Sequence, residues 1–478
     1  MLKQRSRVVG EFAAAVPGVA PDREEAVIPP LLKGRSSLWR PMIRFAIPQT
    51  ASAALQLLSG TVTAIYFGQL LGGSALAVAS VFFPIFFLLI SFLIGLISGG
   101  IVLVARAYGA GDLQDARAVV GTTLCICFSI SVVIAIAGSW LAPELLGVMA
   151  TPGDILGSAI GYARMTFVSL PLLTVLFAYA FLLRGTGDAQ TPFVVMIVYF
   201  AISLLLTPAL ILGWAGLPQL GVTSAPWANM VATIIALPCL VVYLGVRRHP
   251  LAFDGRLMRR LRIDRKIVGP FFAIGIPGGV QTMVVALAEV AVITLVNSFG
   301  SSATAAYGAM NQVVGYLLAP MQAVGLAATV IAAQAIGARQ LNGLHGVTRA
   351  GTILSVLVGT SSVAGLLLFS ERILSWFVVD PQTLAIAVHA LQIVLWSYVF
   401  VGVTDVLAGV MRSSGTVGWP TVMTLASVWL VQVPVAYLMS GTFGLDGVWM
   451  GYPAGFAAAL VAQLAYYGFV WRYRMSRL

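Results

Sequence analysis

Two acidic side chains, Glu289 and Asp405, lie deep inside apolar stretches of this sequence, whereas most other carboxyl groups lie in polar segments. A carboxylate in the middle of a bilayer costs roughly 2.5–3.5 kcal/mol even on permissive scales, so such a group usually faces a cavity or a partner. Burial also favours the protonated form of a carboxyl group, which can bring proton exchange near neutral pH. Glu289 and Asp405 are therefore candidate cation-coupling residues, for H⁺ or, with hydroxyl and carbonyl oxygens, for Na⁺. Alternatively, each is a neutral acid that bonds to a neighbouring helix.

The weaker candidates for a substrate cavity are polar and aromatic side chains of the same half of the chain, namely Gln281, Asn297, Gln312, Tyr307, Trp396 and Tyr398. The three amides could line a cavity or join helices through hydrogen bonds. The three rings could contact a flat cationic ligand through their faces, or anchor the protein at the membrane interface. We expect Arg184 and Arg412 to fix loops and orientation rather than to bind substrate, and Asp188 to cap the fifth helix.

Enzymatic chemistry finds no support in the residue pattern. The three histidines lie at the ends of apolar runs and the three cysteines lie inside them, without a paired catalytic motif or a metal-ligand set. We therefore predict no catalytic residue, no resident metal and no cofactor beyond a coupling ion, H⁺ or Na⁺.

The composition indicates one large membrane body. Of the 478 residues, 59% are hydrophobic and 9% are charged, and the mean hydropathy is +0.97. A soluble domain carries about 25% charged residues, so this chain has too little charge to cover a water-soluble surface. The net charge of +11 is spread over short loops, which indicates membrane orientation rather than nucleic-acid binding.

Apolar runs long enough to span a bilayer as helices occur twelve times, since a span needs about 20 residues. Barrel strands would alternate and run only about ten residues, so the sequence predicts an all-α membrane protein with twelve transmembrane helices. The predicted limits are 43–67, 75–105, 118–142, 158–183, 191–213, 223–246, 268–298, 303–335, 348–370, 386–411, 420–440 and 448–471.

The basic residues orient these helices. With twelve crossings, all of the 27 lysines and arginines except Arg164 and Arg372 fall on one side. The positive-inside rule makes that side cytoplasmic. We therefore expect a multi-pass protein of the cell inner membrane whose N- and C-termini are both cytoplasmic.

An internal repeat divides the chain into two six-helix halves. A shift of 228 positions superposes Arg184, Gly187 and Pro192 on Arg412, Gly415 and Pro420. The predicted organisation is a disordered cytoplasmic tail (1–39), an N-lobe (40–247), a basic cytoplasmic linker (248–267), a C-lobe (268–472) and a short cytoplasmic tail (473–478). Two such repeats around a central cavity suit transport by alternating access.

The repeated segments also resemble a known family. LLRGTGDAQTPF (182–193) and VMRSSGTVGWPT (410–421), together with ARAYGAGD (105–112) and AQAIGARQ (333–340), are similar to paired motifs of the multidrug and toxic compound extrusion (MATE) family. The resemblance covers residues 40–472. It implies two six-helix bundles around a V-shaped cavity and antiport, in which Na⁺ or H⁺ enters as an amphipathic, often cationic compound leaves. We expect a monomer whose partners are the lipid bilayer and a small organic substrate, and no nucleic acid.

The acidic positions depart from the family pattern. Many members carry an Asp in the first helix, in a region where this sequence has Thr63 and Ala64. The Glu and Asp of a sodium-coupled branch fall on Val285 and Val401. Glu289 and Asp405 each lie four residues later, which is one helical turn or about 6 Å along the same face. The resemblance therefore predicts a relocated cation site in the C-lobe.

Two other functions stay open as alternatives. Related folds include flippases of lipid-linked precursors, although twelve spans and few intramembrane charges favour the exporter. An intramembrane enzyme is the second alternative.

Overall fold

The computed structural model describes residues 38–149, 151–378 and 380–475, and these residues are almost entirely helical, with no strand among them. Within these described ranges, twelve helices are long and apolar enough to cross a membrane. In chain order they are α1 Trp39–Leu71, α2 Gly73–Gly109, α3 Leu113–Val148, α4 Gly153–Thr186, α5 Gln190–Leu212, α6 Gly221–Val246, α7 Arg265–Asn297, α8 Ser301–Gly337, α9 Leu341–Leu374, α10 Pro381–Ser413, α11 Gly418–Phe443 and α12 Leu445–Met475.

The number and order of the spans confirm the predicted fold class, but most helices are longer than their apolar runs. Polar side chains cap the additional turns. Asp112 accepts a hydrogen bond from the Asp115 backbone N–H at the start of α3 (2.8 Å), and Asp380 accepts one from Thr383 at the start of α10 (2.9 Å). Hydrophobicity marks where a helix enters the membrane, whereas a cap marks where it begins.

The predicted cap of the fifth helix is confirmed. One carboxylate oxygen of Asp188 accepts hydrogen bonds from the backbone N–H groups of Gln190 (2.9 Å) and Thr191 (3.0 Å). These groups have no partner within α5 because they belong to its first turn. Asp188 lies two residues before the helix and therefore acts from outside it.

Helix α2 packs along α7, and α8 packs against both α1 and α2, so these four helices join the first six spans to the last six. Glycines permit the closest approach. A Cβ atom added to Gly95 would overlap the backbone of Gly279 on α7, and one added to Gly99 would press on Gly275. Small residues of this kind let transmembrane helices approach until their backbones touch.

The ends of α2, α4, α8 and α10 meet on the side of the bundle that also carries the segment between α6 and α7, and we call this the basic side. That segment packs on the bundle. Arg117 of α3 donates a hydrogen bond to the Pro250 carbonyl (3.0 Å), Tyr179 of α4 donates to Leu251 (2.7 Å), and Leu251 and Leu257 are fully buried. The segment thus fastens to the first six helices.

The predicted domain limits remain predictions. Residues 1–37 of the predicted disordered tail and residues 476–478 of the predicted C-terminal tail lie outside the described residues.

Candidate functional site

Glu289 lies on α7, eight positions before the last residue of the helix, and faces α8 and α12. Its Oε2 atom accepts hydrogen bonds from the hydroxyl groups of Tyr307 on α8 (2.6 Å) and Tyr452 on α12 (2.8 Å). The two hydroxyl oxygens are 3.0 Å apart. Three oxygen atoms from three helices therefore form a closed triangle inside the membrane-spanning part of the protein.

An aromatic wall surrounds this triangle. Tyr307 and Tyr452 are 3% and 2% exposed. Trp449 stacks on Tyr307 with ring centres 5.9 Å apart, and Phe456 contacts both Tyr452 (5.9 Å) and Tyr398 (5.0 Å). The wall shields the two tyrosine hydroxyl groups from water and lowers the local dielectric constant on their side of the carboxyl group, which strengthens their hydrogen bonds to Glu289.

The second carboxylate oxygen of Glu289 remains available. Oε1 accepts no hydrogen bond from the residues that the structure describes, and the side chain as a whole is half-buried. A carboxylate with one fixed and one free oxygen can take up a proton or contribute an oxygen ligand to a hard cation. The geometry thus suits a site that changes its charge during a cycle.

Asp405 lies in different surroundings on α10. It packs against Gly325 of α8, where an added Cβ atom would come within 3.0 Å of the Asp405 Cβ atom. Within the described ranges, no hydrogen bond or ion pair reaches its carboxylate, and Arg412 donates instead to the Ala408 carbonyl (3.3 Å).

The structure does not bring the two carboxyl groups together. Glu289 meets α8 at Tyr307, whereas Asp405 meets it at Gly325. These contacts are 18 positions apart, which corresponds to roughly 27 Å along a helix. A single ion bound by both side chains does not fit this spacing.

The three predicted cavity amides each hydrogen-bond to a neighbouring side chain. Gln281 accepts from Thr421 of α11 (3.4 Å), Asn297 accepts from Thr304 of α8 (2.8 Å), and Gln312 of α8 donates to Thr61 of α1 (3.0 Å). These contacts match the alternative that the amides join helices. Their role in a cavity remains a prediction.

The predicted aromatic residues divide into two groups. Tyr307 and Tyr398 are buried in the wall beside Glu289, at 3% and 4% exposure. Trp396 is 50% exposed and meets Phe400 edge-on, which is typical of a side chain on the outer surface. Tyr452 is not among the residues predicted from the sequence, although a buried tyrosine inside an apolar run needs a polar partner.

Comparisons with known proteins agree with this architecture. A family model described as MatE matches residues 48–209 and 277–438, once in each half. The chain is 42% identical to the probable multidrug resistance protein YoeA of Bacillus subtilis, over 92% of this chain and 96% of the relative. It is 24% identical to the probable multidrug resistance protein YpnP of the same organism, over 91% and 95%.

Among solved structures, a variant of the Vibrio cholerae MATE transporter VcmN shares the fold. Its TM-score is 0.84 at 20% identity, with 93% of this chain and 99% of that chain covered.

Proposed function

We propose that this chain, which belongs to the MATE family of multidrug efflux transporters, is a secondary antiporter. It exports amphipathic or cationic organic compounds in exchange for H⁺ or Na⁺. In this proposal the basic side faces the cytoplasm of a cell inner membrane, as the positive-inside rule predicts. The two six-helix halves provide alternating access to the substrate.

The observation that carries the proposal is the oxygen triangle of Glu289, Tyr307 and Tyr452. In the charged state both hydroxyl groups stabilise the carboxylate. When a proton or Na⁺ arrives at the free oxygen, the charge is neutralised and the cost of holding a carboxylate in the membrane disappears. The three helices that carry the triangle then have a different optimal packing in the two charge states.

Coupling follows if the two charge states favour opposite openings of the transporter. A ligand shifts a conformational equilibrium only by the difference between its affinities for the two states. Glu289 on α7 is bonded to α8 and α12, so its charge acts directly on the relative positions of these helices. We assign the main coupling role to Glu289 and a separate, secondary role to Asp405.

Reconstituted liposomes provide the test. Efflux of ethidium, a flat organic cation, is measured under a pH gradient or a Na⁺ gradient for the wild type, Glu289→Gln and Asp405→Asn. Glu371→Gln is the matched control, because Glu371 lies exposed at the end of α9. We expect one gradient to drive efflux, Glu289→Gln to abolish it and Glu371→Gln to leave it unchanged.

Two results would contradict the proposal. If neither gradient drives efflux of ethidium, the antiport assignment fails. If efflux survives Glu289→Gln in folded protein, the exporter assignment holds and the coupling role of Glu289 fails.

A further inference from the structure

A small cavity of about 50 Å³ lies between α1, α4 and α5 in the first half of the protein, well apart from Glu289. Its polar lining comes from Gln49, Ser52 and Gln56 of α1 and from Arg184 at the end of α4. Its apolar lining includes Phe177 and Phe181. The cavity is therefore a polar space with one cationic group and an aromatic wall.

Arg184 is buried without an anion. It is 5% exposed, and no described residue accepts a hydrogen bond from its guanidinium group or forms an ion pair with it. Phe181 covers one face, with its ring centre 3.9 Å from the guanidinium carbon. A cation–π contact uses none of the N–H groups, and the buried Nε atom has no hydrogen-bond partner among the described residues, which is costly for a buried donor.

A second polar group of the cavity also lacks a partner. Gln49 Oε1 is buried and receives no hydrogen bond from any residue in the described ranges. Rotation of this amide by half a turn would present its NH₂ group, and hence a second donor, to the same space. Two orphaned polar groups around one cavity point to a ligand that supplies acceptors.

The repeat explains why the arginine is unpaired. Arg184 matches Arg412 in the second half, and on the same register Phe177 matches Asp405. The second half thus places a carboxylate two helical turns before its arginine on the same stretch of helix, α10. The first half has a phenyl ring at that place. Among the described residues no carboxylate takes this place near Arg184, so an anion that pairs with it has to come from outside the protein.

We propose that the cavity around Arg184 binds the carboxylate head of an amphipathic organic acid. A guanidinium fork matches a carboxylate through two parallel hydrogen bonds. A volume of 50 Å³ holds a head group, whereas a whole drug-sized ligand needs about 300–1,000 Å³. The phenyl rings favour an apolar body behind the head over an inorganic anion. That this acid is an exported substrate rests on the proposed function, while its binding does not.

Three ring compounds of equal shape test the charge preference, namely benzoate, benzamide and benzamidine. Their affinities are measured by calorimetry on the purified full-length protein, with inorganic phosphate as a fourth probe. We expect benzoate to bind at least about tenfold more tightly than benzamide, since a charged hydrogen bond is stronger than a neutral one. Benzamidine and phosphate should bind no better than benzamide.

Two variants locate the preference. Arg184→Gln should make the affinities for benzoate and benzamide equal. Phe177→Asp keeps the arginine and supplies the internal carboxylate of the second half, so it should abolish the benzoate preference as well. Arg349→Gln is the control, because Arg349 is exposed at the start of α9 and should leave all affinities unchanged. If Arg184→Gln fails to fold, the proposal is tested by the affinities of the four probes for the wild type and for Phe177→Asp.

Equal binding of benzoate and benzamide to the wild type overturns the inference, and so does binding of phosphate as tight as that of benzoate. A benzoate preference that survives Phe177→Asp also overturns it. Ethidium efflux without benzoate selectivity would leave the exporter assignment standing and remove this site. Selective benzoate binding without gradient-driven efflux would leave this site standing and remove the exporter assignment.

Discussion

Arg106 and Gln334 occupy matching positions of the two repeats and reach across the interface between the halves in opposite directions. Arg106 donates two hydrogen bonds to the Ser413 carbonyl at the end of α10 (2.8 and 2.6 Å). Gln334 donates one to the Gly185 carbonyl at the end of α4 (2.9 Å). Gly185 and Ser413 are themselves related by the shift of 228 positions. We call these two reciprocal sets of hydrogen bonds, from Arg106 and from Gln334, the clasps. They hold the halves together on the basic side.

Two glycines make the clasps possible, which gives the first prediction. A Cβ atom at Gly337 would overlap the Arg106 carbonyl, and one at Gly109 would overlap that of Gln334. Gly337→Val should therefore open the basic side. Spin labels at Gln114→Cys and Asn342→Cys, both exposed on that side, should report a longer mean distance than in the unmodified background.

Gly365→Val is the control for this prediction, because an added Cβ at Gly365 would meet no atom within 4 Å. It should leave the distance between the labels unchanged. An unchanged distance in folded Gly337→Val would show that the clasps do not hold this side closed.

The tyrosines beside Glu289 give the second prediction. In Tyr307→Phe or Tyr452→Phe the carboxylate loses one of its two donors, and hydrogen bonds to charged groups are worth about 1.5–3 kcal/mol. Ion-driven efflux should fall about tenfold or more in each variant, because each loss of about 1.4 kcal/mol of stabilisation corresponds to about a tenfold change in rate. Efflux rates in liposomes check this.

The matched control is Tyr466→Phe, since the Tyr466 hydroxyl is buried and has no hydrogen-bond partner in the described part of the chain. Its efflux should equal that of the wild type. Equal losses in all three variants would mean that tyrosine hydroxyls act on packing in general rather than on Glu289.

The twelve spans and their repeat could be predicted from the sequence because both depend on local properties. These are the length of each apolar run and the glycine, proline and arginine residues between the runs. Glu289 stood out for the same reason, as a lone carboxyl group in such a run. Its environment could not be predicted, because Tyr452 lies 163 positions away and reaches it only through the packing of α12. For Arg184 the sequence predicts a residue that fixes a loop and the orientation, and nothing in its local sequence shows that it would be buried with an Nε atom unpaired in the described part of the chain.

The distance between Glu289 and Asp405 gives the third prediction. Effects of substitutions more than about 7–10 Å apart without shared partners usually add within roughly 0.3–0.5 kcal/mol. Glu289→Gln and Asp405→Asn should therefore change the thermal midpoint of the detergent-solubilised protein additively. The double variant is compared with the sum of the two single changes. A clear departure from the sum would indicate that both carboxyl groups serve one site.

The histidine in the segment between α6 and α7 gives the last prediction. Burial lowers the pKa of His249, and the charge of Asp188, 3.8 Å away, offsets this only in part. The Leu251 backbone N–H also donates to Nδ1 of His249 (3.2 Å), which requires that nitrogen to be unprotonated. The folded protein thus favours the neutral ring.

The sign of the pH effect follows from this preference. Because the folded pKa lies below the unfolded value of about 6.5, the unfolded chain binds the proton more readily. Stability is therefore complete above about pH 6.5 and falls as the pH drops towards the folded pKa. Thermal midpoints measured between pH 7.5 and pH 5 should decline less in His249→Gln than in the wild type. His389→Gln, at an exposed position on α10, serves as the control and should follow the wild type, whereas identical declines in all three proteins would remove His249 as the cause.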